Sequence, residues 1–111
     1  MNMKKYFDEF NNMVSYNEEI ERKIISISNL FKSINDNGNK VIFVGNGGSA
    51  AMASHCSVDL SKNARIRSIN FNEADLITCF ANDYGYERWI EKAIEFYGES
   101  KDTLILISSS G

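Results

Sequence analysis

The chain reads Val41-Ile42-Phe43-Val44-Gly45-Asn46-Gly47-Gly48-Ser49 where its hydrophobic pattern changes from a helical to a strand period. The first four residues form an apolar run without alternation, which is typical of a strand buried on both faces of a parallel sheet. A helical stretch follows, from Ala50 to about Leu60. A strand, a glycine-rich turn and a helix in this order place backbone N–H groups and a positive helix end around one space, which suits a phosphate.

Two further strands are predicted downstream, a weaker one from Arg65 to Asn70 and another buried one from Thr103 to Ile107. Helices are predicted between them, over Ala74 to Ala81 and Tyr86 to Tyr97. Strands that alternate with helices favour an α/β fold with a three-layer, doubly wound parallel sheet.

The first third of the chain carries one apolar helical face. Its members are spaced by three and four residues: Tyr6, Phe10, Met13, Asn17, Ile20, Ile24, Ile27, Phe31 and Ile34. A capping box of Ser15 and Glu18 predicts a break into two helices, the second ending at Asn37-Gly38. We expect this face to pack inside its own chain, with an oligomer interface as the alternative. Residues 1–37 are therefore predicted as a helical segment and residues 38–111 as the α/β domain.

Composition limits the possible partners. The 111 residues suffice for one core, and a net charge of −3 lacks the basic excess that a nucleic-acid binder needs. No window approaches the roughly 18 apolar residues of a membrane span, so we expect a cytoplasmic protein without a membrane partner. Cys56 and Cys79 lack metal-binding spacing and are predicted to be reduced, mostly buried thiols.

A second donor-rich turn, Ser108-Ser109-Ser110-Gly111, follows the last predicted strand. Open α/β sheets bind ligands at the carboxyl ends of their strands, and three hydroxyls supply donors there. An ordinary polar turn is the alternative for the serines alone. Paired with the glycine turn, they predict one anionic ligand held between the two loops.

Two better-known phosphate loops fit the glycine turn less well. A P-loop requires a Gly-Lys-Ser/Thr sequence, and this turn has no lysine. Gly45, Gly47 and Ala50 match the dinucleotide pattern G-x-G-x-x-A, but the acidic residue expected about 20 positions later is missing. Arg65 and Arg67 occupy that region, which disfavours NAD binding.

The candidate chemical groups lie on the helices. His55, the single histidine, precedes Asp59 by four positions, so the two side chains share a helix face. Such a pair can ligate a metal or handle protons, or it can be a plain surface ion pair. Asn82 and Asp83 come where a helix should end; Asp83 suits an N-cap of the next helix, and Asn82 suits a ligand.

Three segments together resemble the phosphoheptose isomerase family of SIS (sugar isomerase) domains: Gly45 to Ala51 with His55 and Asp59, Ala81 to Glu87, and Ile107 to Gly111. The resemblance implies a flavodoxin-like sheet and a homotetramer. It also implies aldose–ketose isomerisation of sedoheptulose 7-phosphate to D-glycero-D-manno-heptose 7-phosphate, for lipopolysaccharide or capsule biosynthesis.

The resemblance also implies roles for individual residues. His55 and Asp59 would ligate zinc, one ion per subunit, and Asp59 would be the catalytic base where the family usually has glutamate. The substrate contacts carried over by position are Asn46, Gly47, Gly48, Ser49, Asn82, Asp83, Ser108, Ser109 and Ser110.

The family continues beyond the serine turn to a glutamine and a histidine that complete its metal site, and these are not among the 111 residues. We therefore expect the N-terminal part of an SIS domain, which binds zinc poorly and does not isomerise by itself. The alternative function is a non-catalytic SIS protein that binds a sugar phosphate for sensing or assembly. The acid kept at Asp59 favours the enzyme.

Overall fold

A computed structural model describes residues 2–111. In chain order its elements are α1 (Met3–Met13), α2 (Glu18–Asp36), β1 (Val41–Gly45), α3 (Gly48–Ala64), β2 (Ser68–Asn70), α4 (Ala74–Tyr84), a 3-10 turn (Tyr86–Arg88), α5 (Trp89–Tyr97) and β3 (Thr103–Ile107). The chain divides into two compact units, one ending at Leu30 and the other spanning Phe31–Gly111. No helix described here combines the length and apolar character that crossing a membrane requires.

The three strands form one parallel sheet in the order β2-β1-β3. Val41 pairs with Ser68 on one side and with Thr103 on the other, and Gly45 pairs with Ile107. The chain thus leaves β1 toward one neighbour and later returns to its other side, which is the doubly wound arrangement that the sequence predicts. β2 has three residues and is shorter than the predicted strand.

The central strand β1 is buried throughout, as its unbroken apolar run predicts. Ile42 and Val44 pack with Trp89 and Ala93 of α5 on one face of the sheet. Val41 and Phe43 pack on the other face with residues of α3, including Ala53. Helices on both faces therefore make the three layers of the predicted fold.

The prediction that β3 is fully buried is wrong. Ile105 and Ile107 join the core on the α3 face, but Leu104 and Leu106 are 39% and 66% exposed. The core on the α4–α5 face contains Ile42 and Val44, the partners of these leucines in β1, but neither leucine. The described helices therefore leave this face of β3 open.

A buried ion pair joins the amino ends of β1 and β3. Lys40 Nζ lies 2.7 Å from Asp102 Oδ2, and the backbone N–H of Lys40 donates to Asp102 Oδ1 at 2.9 Å. Burial raises the pKa of the Asp102 carboxyl, but hydrogen bonds from Lys40 and from the Glu99 backbone outweigh it and lower that pKa to about 2. For Lys40, burial lowers the pKa of the ammonium group. Hydrogen bonds to Asp102 and Glu99 and the charges of these two carboxylates raise this pKa by more, so the net shift is upward.

The predicted break between two N-terminal helices is confirmed, but its capping residue is different. Asn17 Oδ1 accepts hydrogen bonds from the N–H groups of Glu19 at 2.7 Å and Ile20 at 3.3 Å. Ser15 instead donates its hydroxyl to the Asn12 carbonyl at 2.8 Å, because it lies two positions too early to reach these orphan donors. The glycine end of α2 is as predicted, since Gly38 has φ of 79°.

The expectation that the apolar face of α1 and α2 packs inside its own chain is wrong for most of its length. Ile34 is buried and Phe31 half-buried. The other apolar members are 44% to 71% exposed: Tyr6, Phe10, Met13, Ile20, Ile24 and Ile27. Periodicity identified the apolar face correctly, but it does not specify what covers that face.

Candidate functional site

The glycine turn is tight because only Asn46 and Gly47 separate the end of β1 from the start of α3. A side chain at Gly45 would overlap the backbone of Ser49 in the first turn of α3. Gly47, the N-cap of α3, has φ of 58°, a conformation that glycine adopts without steric cost. The N–H groups of Ser49 and Ala50 donate within this turn, to the carbonyls of Asn46 and Gly47 at 3.0 Å each. Both glycines therefore let the amino end of α3 lie against the strand, where the positive end of the helix dipole favours an anion.

The serine turn leaves the same edge of the sheet. Gly45 is paired with Ile107, so Asn46 and Ser108 each follow directly on paired residues of adjacent strands. This edge is the carboxyl end of the sheet, at the place where the strand order reverses, which is where open α/β sheets bind ligands. The structure thus brings together the two donor-rich loops that the sequence singles out.

The serine turn is organised around one hydroxyl. Ser108 Oγ accepts a hydrogen bond from the N–H of Gly111 at 2.9 Å and a longer one from Ser110 at 3.4 Å. Accepting these bonds leaves the hydroxyl proton of Ser108 free to donate. Ser109 and Ser110 are exposed, so three hydroxyls remain accessible at the end of β3.

The prediction that Asp83 caps the next helix is wrong. Asp83 lies inside α4, which continues to Tyr84 and ends at Gly85 with φ of 89°. Its carboxylate accepts from Asn82 Nδ2 at 2.9 Å and from the Cys79 thiol at 3.7 Å. Asn82 and Asp83 thus form one exposed polar pair at the carboxyl end of α4.

Tyr86 connects this segment to the glycine turn, a contact that sequence reasoning missed. Its hydroxyl donates to Asn46 Oδ1 at 3.0 Å across 40 positions of sequence. The sequence feature that could have drawn attention to Tyr86 is its position directly after Gly85, the glycine that ends α4. Nothing local in the sequence indicated that this tyrosine reaches the glycine turn.

His55 and Asp59 share a face of α3, as their spacing predicts. His55 Nε2 lies 3.1 Å from Asp59 Oδ2, and Asn63 Nδ2 donates to Asp59 Oδ1 at 3.3 Å. The side chains of His55 and Asp59 are 79% and 49% exposed. The two groups are therefore accessible to a ligand or a proton acceptor from solvent.

The donor types of this pair fit zinc, but their number does not complete a site. Zinc sites in proteins take three or four ligands. Within residues 2–111, no group of three or more histidine, cysteine or acidic side chains is arranged to hold a metal ion.

Of the two cysteines, Cys56 is half-buried and Cys79 is exposed, which corrects the expectation of mostly buried thiols.

Several known proteins are similar to this chain in sequence and in fold. Residues 5–111 match the SIS domain family. Phosphoheptose isomerase from Fusobacterium nucleatum is 35% identical over 99 residues, covering 85% of this chain and 49% of that protein. Phosphoheptose isomerase 1 from Campylobacter jejuni is 30% identical over 115 residues, covering 98% of this chain and 62% of that protein.

The structure of phosphoheptose isomerase from Neisseria gonorrhoeae superposes with a TM-score of 0.75 at 23% identity, covering 97% of this chain and 61% of that one. The likeness supports the fold described above. This chain thus spans about half to three fifths of the length of these similar proteins. Because the SIS match takes in the helices, the sheet and both donor-rich loops, the chain belongs to the SIS domain family.

Proposed function

We propose that this chain provides the phosphate-binding loops and the catalytic base of a sugar-phosphate aldose–ketose isomerase. The substrate we propose is sedoheptulose 7-phosphate, with D-glycero-D-manno-heptose 7-phosphate as product. One observation carries the proposal: the pairing of Gly45 with Ile107, which puts the glycine and serine turns side by side at the carboxyl edge of the sheet. The similar phosphoheptose isomerases support the substrate class.

In this proposal the serine turn binds the phosphate. A phosphate dianion accepts hydrogen bonds, and Ser108, Ser109 and Ser110 offer hydroxyl donors. The glycine turn adds Asn46, Gly47, Gly48 and Ser49 at the positive end of α3. Asn82 and Asp83 extend the polar surface toward the sugar hydroxyls.

Asp59 acts as the base in the proposed reaction. Isomerisation removes a proton from one of the two carbons that exchange the carbonyl and returns it to the other through an enediol. An accessible carboxylate can accept this proton, and the His55 imidazole, whose Nε2 lies 3.1 Å from Asp59 Oδ2, can orient the carboxylate. Aspartate has one methylene fewer than the family's glutamate, which limits the reach of the base.

His55 and Asp59 are also a proposed pair of zinc ligands. A bound zinc ion would stabilise negative charge on the substrate oxygens. Since the described residues do not complete a zinc site, no step of the proposal depends on the metal.

We propose that the chain assembles with copies of itself, as a tetramer by resemblance. The support is the exposed apolar face of α1 and α2, on which Phe10 and Ile24 are 44% and 61% exposed. Water-exposed apolar surface of this extent is typical of an interaction site.

Hydrogen exchange into the sugar tests the base separately from complete turnover. The chain is incubated with sedoheptulose 7-phosphate in D₂O, and deuterium at the carbon next to the carbonyl is followed by NMR. A base that takes the proton and returns it to the same carbon exchanges hydrogen even when isomerisation does not follow. We expect exchange by the natural chain and a loss of about 100-fold or more in Asp59→Asn.

The Asp75→Asn variant is a matched control, because Asp75 is an exposed acid at the start of α4, the end opposite to Asn82 and Asp83. Equal exchange by Asp59→Asn and the natural chain would remove Asp59 as the base. Sugar-phosphate binding without any exchange would favour the non-catalytic alternative.

A further inference from the structure

We propose that Tyr86 is a positioning residue that orients the side-chain amide of Asn46 toward the bound sugar phosphate. This inference rests on the proposed function and adds a residue to its site. The observation is the hydrogen bond from the Tyr86 hydroxyl to Asn46 Oδ1, at 3.0 Å.

The direction of this hydrogen bond determines what Asn46 offers to a ligand. An asparagine amide has an oxygen that only accepts and a nitrogen that only donates, while the oxygens of a phosphate dianion only accept. The Tyr86 hydroxyl engages the Asn46 oxygen, so Nδ2 remains available to donate. In the opposite orientation of the amide, Asn46 Oδ1 would face the phosphate oxygens, and two acceptors do not form a hydrogen bond.

Asn46 and Tyr86 are both attached to well-packed elements of the fold. Asn46 directly follows β1, in which every residue is buried. Tyr86 opens the 3-10 turn that leads into α5, and α5 is anchored by Trp89, which is 4% exposed. Tyr86 is 56% exposed, so its hydroxyl can be removed without opening a cavity in the core.

Without the tyrosine hydroxyl, the exposed Asn46 amide would be free to rotate. Binding the ligand would then carry the additional cost of ordering this side chain in the donating orientation. Losing the effect of one such hydrogen bond corresponds to about a 5- to 10-fold weaker affinity.

The test compares the natural chain with Tyr86→Phe and, as a matched control, Tyr84→Phe. Tyr84 lies two positions earlier, and its ring packs edge-on against Phe80, so the control removes a nearby hydroxyl and keeps the ring. The Asn46 side-chain amide is observed by ¹⁵N NMR, with its signals assigned from their loss in Asn46→Asp. Each protein is titrated with sedoheptulose 7-phosphate, and its urea unfolding midpoint is measured.

We expect an ordered Asn46 amide in the natural chain and in Tyr84→Phe, with signals that shift on titration. In Tyr86→Phe we expect a mobile amide, a smaller shift and a dissociation constant raised about 5- to 10-fold at an unchanged unfolding midpoint. Equal affinity and equal amide order in Tyr86→Phe and the natural chain would overturn the positioning role. Failure of the natural chain to bind the sugar phosphate would overturn the proposed function, and the positioning role with it.

Discussion

Gly45 lies opposite Ile107 in the parallel pairing of β1 with β3, so the loops that follow these two residues leave the sheet side by side. The glycine turn after Gly45 also brings the start of α3 close to the end of β1. The absence of a side chain at Gly45 permits that approach, because a Cβ there would overlap the Ser49 backbone.

Replacing Gly45 with alanine should therefore destabilise the fold. The clash is with backbone that cannot move without shifting α3, and we expect a loss of roughly 2–3 kcal/mol in the free energy of unfolding. Urea denaturation measures it. Gly48→Ala is the control, since a Cβ at Gly48 meets no atom of the described residues within 4 Å. Equal stability of the two variants would contradict the packing argument.

The serine turn should contribute directly to sugar-phosphate affinity. Ser109→Ala removes one exposed hydroxyl at the end of β3, and a hydrogen bond to a charged phosphate corresponds to about a 10- to 100-fold change in dissociation constant. Calorimetric titration with sedoheptulose 7-phosphate measures the change. Ser100→Ala, just before β3 at the other end of the sheet, should bind like the natural chain. An unaffected Ser109→Ala would exclude this hydroxyl from the phosphate site.

The Lys40–Asp102 pair should make stability depend on acid pH. The pKa of Asp102 is about 2 in the fold and 3.8 in its ordinary range, so the folded state favours the ionised carboxylate. This stabilisation is complete above about pH 5 and is lost as the pH falls toward 2. We expect the natural chain to lose about 2 kcal/mol more than Asp102→Asn between pH 5 and pH 2.

Urea denaturation at a series of pH values from 5 to 2 measures this difference. Asp36→Asn, at the exposed end of α2, is the control and should follow the natural chain. Parallel pH profiles for the natural chain and Asp102→Asn would show that the ion pair does not stabilise the fold.

The cap of α2 makes a prediction that separates two neighbouring residues. Asn17→Ala removes the acceptor for the Glu19 and Ile20 N–H groups and should cost about 1 kcal/mol. Ser15→Ala leaves those N–H groups capped and should change stability by less than about 0.5 kcal/mol. Thermal unfolding followed by circular dichroism compares the two. A larger loss of stability in Ser15→Ala than in Asn17→Ala would show that Ser15, and not Asn17, caps α2.

The apolar face of α1 and α2 should mediate self-association. Ile24→Glu places a charge in the middle of this face, and desolvating that charge in an interface is unfavourable, so we expect a lower molar mass in solution. Light scattering with size-exclusion chromatography measures the mass. Ser26→Glu is the control, because Ser26 follows Ile24 by two positions and therefore lies on the opposite side of α2. An unchanged mass in Ile24→Glu would exclude this face as the interface.

The local elements of the fold were predictable because their signals are local. The apolar run of β1, the glycine turn and the alternation of strands with helices predict the parallel sheet and the donor-rich turn at the end of its central strand. The four-residue spacing of His55 and Asp59 predicts their contact, since a helix turn alone brings them together. These inferences require only the periods of the helix and the strand.

The tertiary structure decided the relationships that join distant parts of the chain. The Tyr86–Asn46 and Lys40–Asp102 contacts span 40 and 62 positions, and sequence periodicity carries no information about such pairs. The exposure of Leu106 in β3 depends on which part of the sheet the helices cover. In each case the outcome follows from where the topology brings two segments into contact, which a local pattern does not specify.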